Sequence, residues 1–129
     1  MKQKYFIDTN IFLRFLLNDH KSLTAKAEKY FLLANKNKAV LISSVLVISE
    51  VFWVLKSFYK YSIKNINKHL TSLLAHKNIQ IKDKNLVLKT LNLCQKKNIA
   101  FVDAFCLLKS KQIKVKLITF DKKLLKLVK

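Results

Sequence analysis

The order of apolar patterns along the chain constrains its fold more than any other feature. Four short segments rich in β-forming residues alternate with longer segments of helical periodicity, and the short segments are residues 4–7, 39–42, 78–82 and 115–120. One or more helical segments separate successive strands, and such connections favour parallel pairing with helices on both faces of the sheet. We therefore predict an α/β fold of three layers, α/β/α, with a mainly parallel sheet of about four strands.

The size and composition of the chain indicate one folded domain. The sequence has 129 residues, of which 51% are hydrophobic, and this is enough to bury a substantial core. We expect residues 1–129 to form a single domain. Glycine and proline are both absent, which excludes glycine-rich phosphate-binding loops. The turns must therefore rely on Asn, Asp, Ser and Lys.

The charge balance points to a polyanionic partner. Lysine and arginine total 26 against seven acidic residues, so the formal net charge is +19. All the basic residues except Arg14 are lysines, which attract phosphate groups but do not make the bidentate contacts with which arginine reads guanine. Nucleic acid is therefore the favoured partner. An anionic membrane surface and a solvated surface produced by compositional bias are the alternatives.

The apolar segments are too short for a membrane protein. The longest uncharged segment, residues 39–49, falls well below the roughly 20 residues that span a bilayer. Asp8 interrupts the first apolar run, and no signal peptide is evident. Cys94 and Cys106 lie in helical apolar patterns and are expected to be small core residues. We expect a cytoplasmic protein that does not associate with membranes.

Four of the seven acidic residues lie in apolar segments, where a lone buried carboxylate would be costly. They are Asp8, Glu50, Asp103 and Asp121. Asp8 and Asp121 each follow a predicted strand, so both belong to the carboxyl edge of the parallel sheet, where α/β folds place their ligand sites. We therefore predict that the four carboxylates are held away from water and share one cation site.

Three of these acids also have an ordinary structural alternative. Asp8, Asp103 and Asp121 fall near predicted helix starts, where an aspartate accepts hydrogen bonds from free backbone amides. Glu50 has no such explanation, because its neighbours on a helix are all apolar. Those three and four positions away are Leu46, Val47, Trp53 and Val54. We expect Glu50 either to be buried or to line a pocket.

A cluster of carboxylate oxygens suits a hard divalent cation such as Mg²⁺ or Mn²⁺. Such an ion activates water and stabilises the leaving oxygen during phosphodiester hydrolysis. A basic surface around an acidic, metal-binding pocket is therefore typical of a nuclease. The alternative is a basic nucleic-acid-binding protein without catalysis, whose acids serve only as helix caps.

The segments around the four acids resemble the motifs of the PIN-domain ribonucleases, and in particular those of the VapC-like toxins of type II toxin–antitoxin pairs. The matching segments are residues 6–19, which contain the sequence DTN, and residues 42–51, 101–105 and 117–124. They occur in the order and spacing of the family, so the resemblance extends over essentially the whole chain. Leu124, where the family often has phenylalanine, and the missing loop glycines are departures from the pattern.

The resemblance implies a metal-dependent endoribonuclease that uses Mg²⁺ or Mn²⁺ and leaves a 5′-phosphate and a 3′-hydroxyl on its RNA products. The implied metal ligands and catalytic acids are Asp8, Glu50, Asp103 and Asp121. Asn10 and Thr119 are implied as further catalytic residues that orient ligands or water.

The resemblance also implies partners. These are a second copy of the chain, in a homodimer, and a cognate antitoxin that lays an amphipathic segment across apolar helices. The aromatic segment of residues 52–59 is a candidate surface for that antitoxin, although aromatic residues at this spacing are more often part of a core. A PIN nuclease that acts in RNA maturation is the alternative within the family.

Overall fold

The computed structural model describes residues 2–128 and contains, within them, seven α-helices and three β-strands. The strands are β1 (Gln3–Phe6), β2 (Ala39–Ser43) and β3 (Ile79–Ile81). The helices are α1 (Thr9–Leu17), α2 (Lys21–Asn35), α3 (Val45–Ser57), α4 (Ile63–Leu74), α5 (Lys84–Lys97), α6 (Phe101–Gln112) and α7 (Lys122–Val128). No helix of this part of the chain combines the length and the apolar character needed to cross a bilayer.

The three strands form a parallel sheet in the order β1-β2-β3. Tyr5 pairs with Leu41, which pairs in turn with Ile79. Val40 and Leu41 are both buried, and successive residues of a strand point to opposite faces of a sheet. Both faces are therefore covered at β2, and the predicted α/β class with a parallel sheet between helices is confirmed.

The predicted fourth strand is not formed, so the expected count of four was too high. Residues 115–120 have no regular structure, and they leave Val115, Ile118 and Phe120 exposed, the last of these to 97%. Strand β1 forms one edge of the sheet, and residues 115–120 do not pair with it. Strand pairing depends on side-chain packing between neighbours, and a β-rich segment alone does not secure it.

Asparagine, aspartate and lysine replace glycine in the turns, as the composition predicts. Within residues 2–128, six residues have positive φ: Asn18, Asn37, Lys60, Asp83, Asn98 and Lys114. Asn18 and Asn98 end α1 and α5 in the left-handed conformation, which asparagine tolerates better than most residues. Asp83 stands at the start of α5, but its side chain makes no capping hydrogen bond and pairs with Lys109 at 3.7 Å.

Helix α3 connects the core to the candidate site. Its inner face buries Ile48, Val51, Phe52 and Leu55. Phe52 packs against Phe101 of α6, with ring centroids 5.8 Å apart. The packing leaves Glu50 and Trp53 on the outer side of α3, facing the beginning of α6.

Candidate active site

Asp8 stands where β1 ends and α1 begins. Its backbone is extended, and its Oδ1 accepts a hydrogen bond of 3.3 Å from the amide of Ile11, so it caps α1. The residue before it, Ile7, is buried, and its carbonyl accepts a hydrogen bond of 2.8 Å from the hydroxyl of buried Ser43. The amide of Ile7 also donates to the carbonyl of Ile42 at 2.8 Å. Asp8 is thus held at the carboxyl edge of the sheet by β2.

Glu50 contacts the residue that follows Asp8, and 41 positions of sequence separate that residue from Glu50. The hydroxyl of Thr9 donates a hydrogen bond of 3.1 Å to Oε2 of Glu50. Glu50 also lines a cavity of about 460 Å³ between α3 and the start of α6. The expectation that Glu50 lines a pocket is therefore confirmed.

Asp103 lies in the first turn of α6 and is half-buried. It does not occupy the N-cap position, which belongs to Ala100. The negative charge of Asp103 also acts on Cys94 of α5. Burial raises the pKa of the Cys94 thiol to about 12, and the charge of Asp103 contributes to this rise. Asp103 follows Phe101 and Val102, which line the same cavity as Glu50.

Asp121 caps the last helix, α7. Its Oδ1 accepts a hydrogen bond of 3.0 Å from the amide of Leu124, the buried residue that anchors α7. Its own amide donates a hydrogen bond of 3.0 Å to Oγ1 of Thr119. Asp121 and Thr119 thus form one local unit before α7, whereas Asn10 is exposed in the first turn of α1.

The expectation that the acids are held away from water was wrong for three of the four. Asp8, Glu50 and Asp121 are exposed. The capping roles weighed for Asp8 and Asp121 are confirmed by their hydrogen bonds. Because these three carboxylates are solvated, they do not carry the free-energy cost of an unpaired buried charge. Their burial therefore cannot be an argument for a cation at this site.

Among the four acids, the structure links Glu50 by a hydrogen bond to Thr9, the residue after Asp8. Within residues 2–128 it gathers no three Asp, Glu, His or Cys side chains closely enough to hold a metal ion. The chemistry of the donors nevertheless fits a hard cation. Carboxylate and hydroxyl oxygens, without nitrogen or sulfur, are the ligands that Mg²⁺ and Mn²⁺ prefer. The shared site of all four acids stays a prediction.

Two residues near this site, Thr9 and Ser43, were not predicted from the sequence, and Trp53 was expected only as part of a partner surface. Thr9 bridges to Glu50, Ser43 holds the end of β1, and Trp53 lies on the wall of the cavity with 64% of its surface exposed. Ser43 ends β2 at the same edge of the sheet at which Asp8 follows β1. That shared edge is the signal that could have identified it.

Comparison with known proteins identifies a family that covers almost the whole chain. The family model described as "PIN domain" matches residues 5–129. The matched region includes all four acids and the residues that hold them. No curated protein and no solved structure gives a significant match to the chain.

Proposed function

Because the chain belongs to the PIN domain family, whose members are generally nucleases, we propose that it is a metal-dependent endoribonuclease that hydrolyses RNA phosphodiester bonds. One observation carries this proposal, the 3.1 Å hydrogen bond from Thr9 to Glu50. It joins a carboxylate from the middle of a helix to the strand end that carries Asp8. The bond thus links residues of two separate motifs at the edge of a parallel sheet where such folds place their active sites.

The proposed site uses the acids as cation ligands. Asp8, Glu50, Asp103 and Asp121 would hold Mg²⁺ or Mn²⁺, and the bound ion would supply an activated water and offset charge at the scissile phosphate. Capping uses Oδ1 of Asp8 and of Asp121, and each carboxylate has a second oxygen with which to bind a cation. Asn10 and Thr119 would orient ligands or water.

The lysines would bring RNA to this site. With a net charge of +19, the surface attracts a polyanion over a long range. Lys56 lines the same cavity as Glu50, so a positive charge lies next to the acidic residues. Lysine contacts to phosphate position the strand without specifying its sequence.

We further propose that residues 1–129 act as one nuclease domain in the cytoplasm, as the toxin of a toxin–antitoxin pair. Homodimerisation and control by an antitoxin belong to the same proposal, which rests on the resemblance of the four motifs to VapC-like toxins. In the segment 52–59, Trp53 and Phe58 are exposed whereas Phe52 is buried, so part of it is available to a partner. A role in RNA maturation is the alternative.

Asp8→Asn tests the proposal because it separates capping from cation binding. Asparagine caps a helix about as well as aspartate but lacks its negative charge. We expect this variant to retain the unfolding temperature of the wild type in chelator and to lose Mn²⁺-dependent RNA cleavage by orders of magnitude. A native-state ligand at a hundred times its Kd stabilises a protein by about 2.7 kcal/mol. The rise in unfolding temperature on adding Mn²⁺ should therefore be large for the wild type and small for the variant.

Ser62→Ala is the matched control for lost capping. Ser62 caps α4 through a hydrogen bond of 3.1 Å from the amide of Asn65. Removing it should cost about 1 kcal/mol of stability and leave cleavage unchanged. If Asp8→Asn cleaves RNA at the rate of the wild type, the carboxylate mechanism is wrong and Asp8 is a helix cap only.

A further inference from the structure

Trp53 is an exposed aromatic residue one helical turn beyond Glu50. It is the only tryptophan of the sequence, and 64% of its surface is exposed, whereas the adjacent Phe52 is buried in the core. Residues three apart on a helix are neighbours on its surface, so Glu50 and Trp53 lie on the same face of α3. Lys56 follows at the same spacing and extends that face by another turn.

These three side chains line one cavity. Its volume of about 460 Å³ is within the range of about 300–1,000 Å³ that is typical of sites for small organic ligands. The opposite wall is formed by the beginning of α6, with Phe101 and the exposed Val102. The cavity therefore combines a flat aromatic surface, an apolar wall, a lysine and a carboxylate of the candidate active site.

We propose that this cavity is a nucleobase subsite, in which Trp53 stacks on an unpaired base of single-stranded RNA while Lys56 contacts a neighbouring phosphate. The proposal rests on the proposed function and adds the residues that would hold a base and a phosphate next to the cleaved bond. A base inside a duplex already stacks on its neighbours and does not expose its face to Trp53. Because every base has such a face, the subsite selects strand state rather than sequence.

Charge complementarity at the cavity favours RNA as the occupant. Lys56 lines the cavity, and the chain carries a net charge of +19. A polynucleotide neutralises this charge while it buries the indole ring. Along α3, Glu50, Trp53 and Lys56 in this order match a hydrolytic centre, a base and a phosphate.

The experiment uses Trp53 as its own reporter, because no other tryptophan contributes to the fluorescence. The wild-type protein in chelator is titrated with a uridine dodecamer, and with a duplex of equal length. We expect strong quenching by the single strand and weak quenching by the duplex. Equal and weak quenching by both would overturn the proposal.

Variants then measure what the ring contributes to affinity for a labelled uridine dodecamer. Trp53→Leu keeps apolar volume but cannot stack, and we expect it to weaken binding by roughly 5- to 150-fold without changing the salt dependence. Trp53→Phe should weaken binding less. Lys56→Gln should instead flatten the slope of log affinity against log salt by about 0.7, because one phosphate contact is lost.

Phe58→Leu is the matched control. Phe58 is 72% exposed at the end of the same helix but does not line the cavity. It should bind RNA like the wild type. Equal affinities for Trp53→Leu and the wild type would overturn the proposal. So would Trp53 fluorescence that depends on protein concentration without RNA, together with a smaller sedimenting species for Trp53→Leu, because the face would then be a contact between copies.

The outcome also distinguishes this inference from the proposed function. Quenching and weakened binding without any Mn²⁺-dependent cleavage would support the base subsite and contradict the nuclease. Cleavage that depends on Asp8, with no quenching of Trp53, would support the nuclease and overturn the subsite.

Discussion

Ser43→Ala tests how the sheet positions Asp8. The Ser43 hydroxyl is buried and donates its hydrogen bond, at 2.8 Å, to the carbonyl of Ile7, the residue before Asp8. The bond joins the ends of β1 and β2 across 36 positions of sequence. Alanine removes the donor without adding volume, and the buried carbonyl of Ile7 loses that partner.

The size of the effect follows from the burial of both groups. Losing a hydrogen bond while leaving a buried partner unsatisfied costs about 1–3 kcal/mol. We expect the free energy of unfolding, measured by urea denaturation, to fall by that amount. We also expect RNA cleavage to fall further than the folded fraction does, because the chain that carries Asp8 is no longer held to β2.

Ser110→Ala is the control for this reasoning. Ser110 is equally buried, and its hydroxyl donates a hydrogen bond of 2.9 Å to the carbonyl of Leu107 within the same helix. This local bond joins no separate elements, and we expect its loss to cost about 0.5–1.5 kcal/mol and to leave cleavage unchanged. If both variants lose similar stability and both cleave at the rate of the wild type, Ser43 does not position Asp8.

Two further predictions concern the backbone and the buried thiol. Lys114 has φ of 59°, so Lys114→Gly should raise the free energy of unfolding by about 1 kcal/mol, whereas Lys36→Gly, at φ of −83°, should lower it by about 0.5–1 kcal/mol. Urea denaturation measures both, and equal destabilisation by the two changes would contradict the expected relief of strain. Burial raises the pKa of Cys94 to about 12, so iodoacetamide at pH 8 should modify the half-buried Cys106 well before Cys94. Mass spectrometry measures the order, and equal rates under native conditions would contradict it.

The fold could be predicted from the sequence because local patterns and chain connectivity agree for the first three strands. Helical segments separate β1 from β2 and β2 from β3, and this connectivity alone favours parallel pairing. Residues 115–120 carry the same local pattern but remain unpaired. Pairing there depends on the surface that β1 offers, and a local pattern contains no information about that surface.

The sequence identifies the acids of the proposed site by their positions, but it did not predict their exposure. Glu50 was expected to be buried or to line a pocket because its helical neighbours are apolar. Two of them, Leu46 and Trp53, are themselves exposed, to 78% and 64%. The apolar residues around Glu50 therefore include an outward-facing group as well as the core. Composition cannot distinguish an apolar surface from a core, because that difference depends on which elements pack against the helix.

The capping by Asp8 and Asp121 is compatible with the cation binding that we propose for them, and would prepare both carboxylates for it. The amides of Ile11 and Leu124 hold the two carboxylates in place whether or not a cation is bound. A helix N-terminus also carries partial positive charge, which reduces the repulsion between carboxylates that would otherwise oppose their approach. Cation binding at these carboxylates would therefore cost less conformational entropy than binding at mobile side chains. Asp8→Asn and Asp121→Asn should therefore lower cation affinity while leaving α1 and α7 intact.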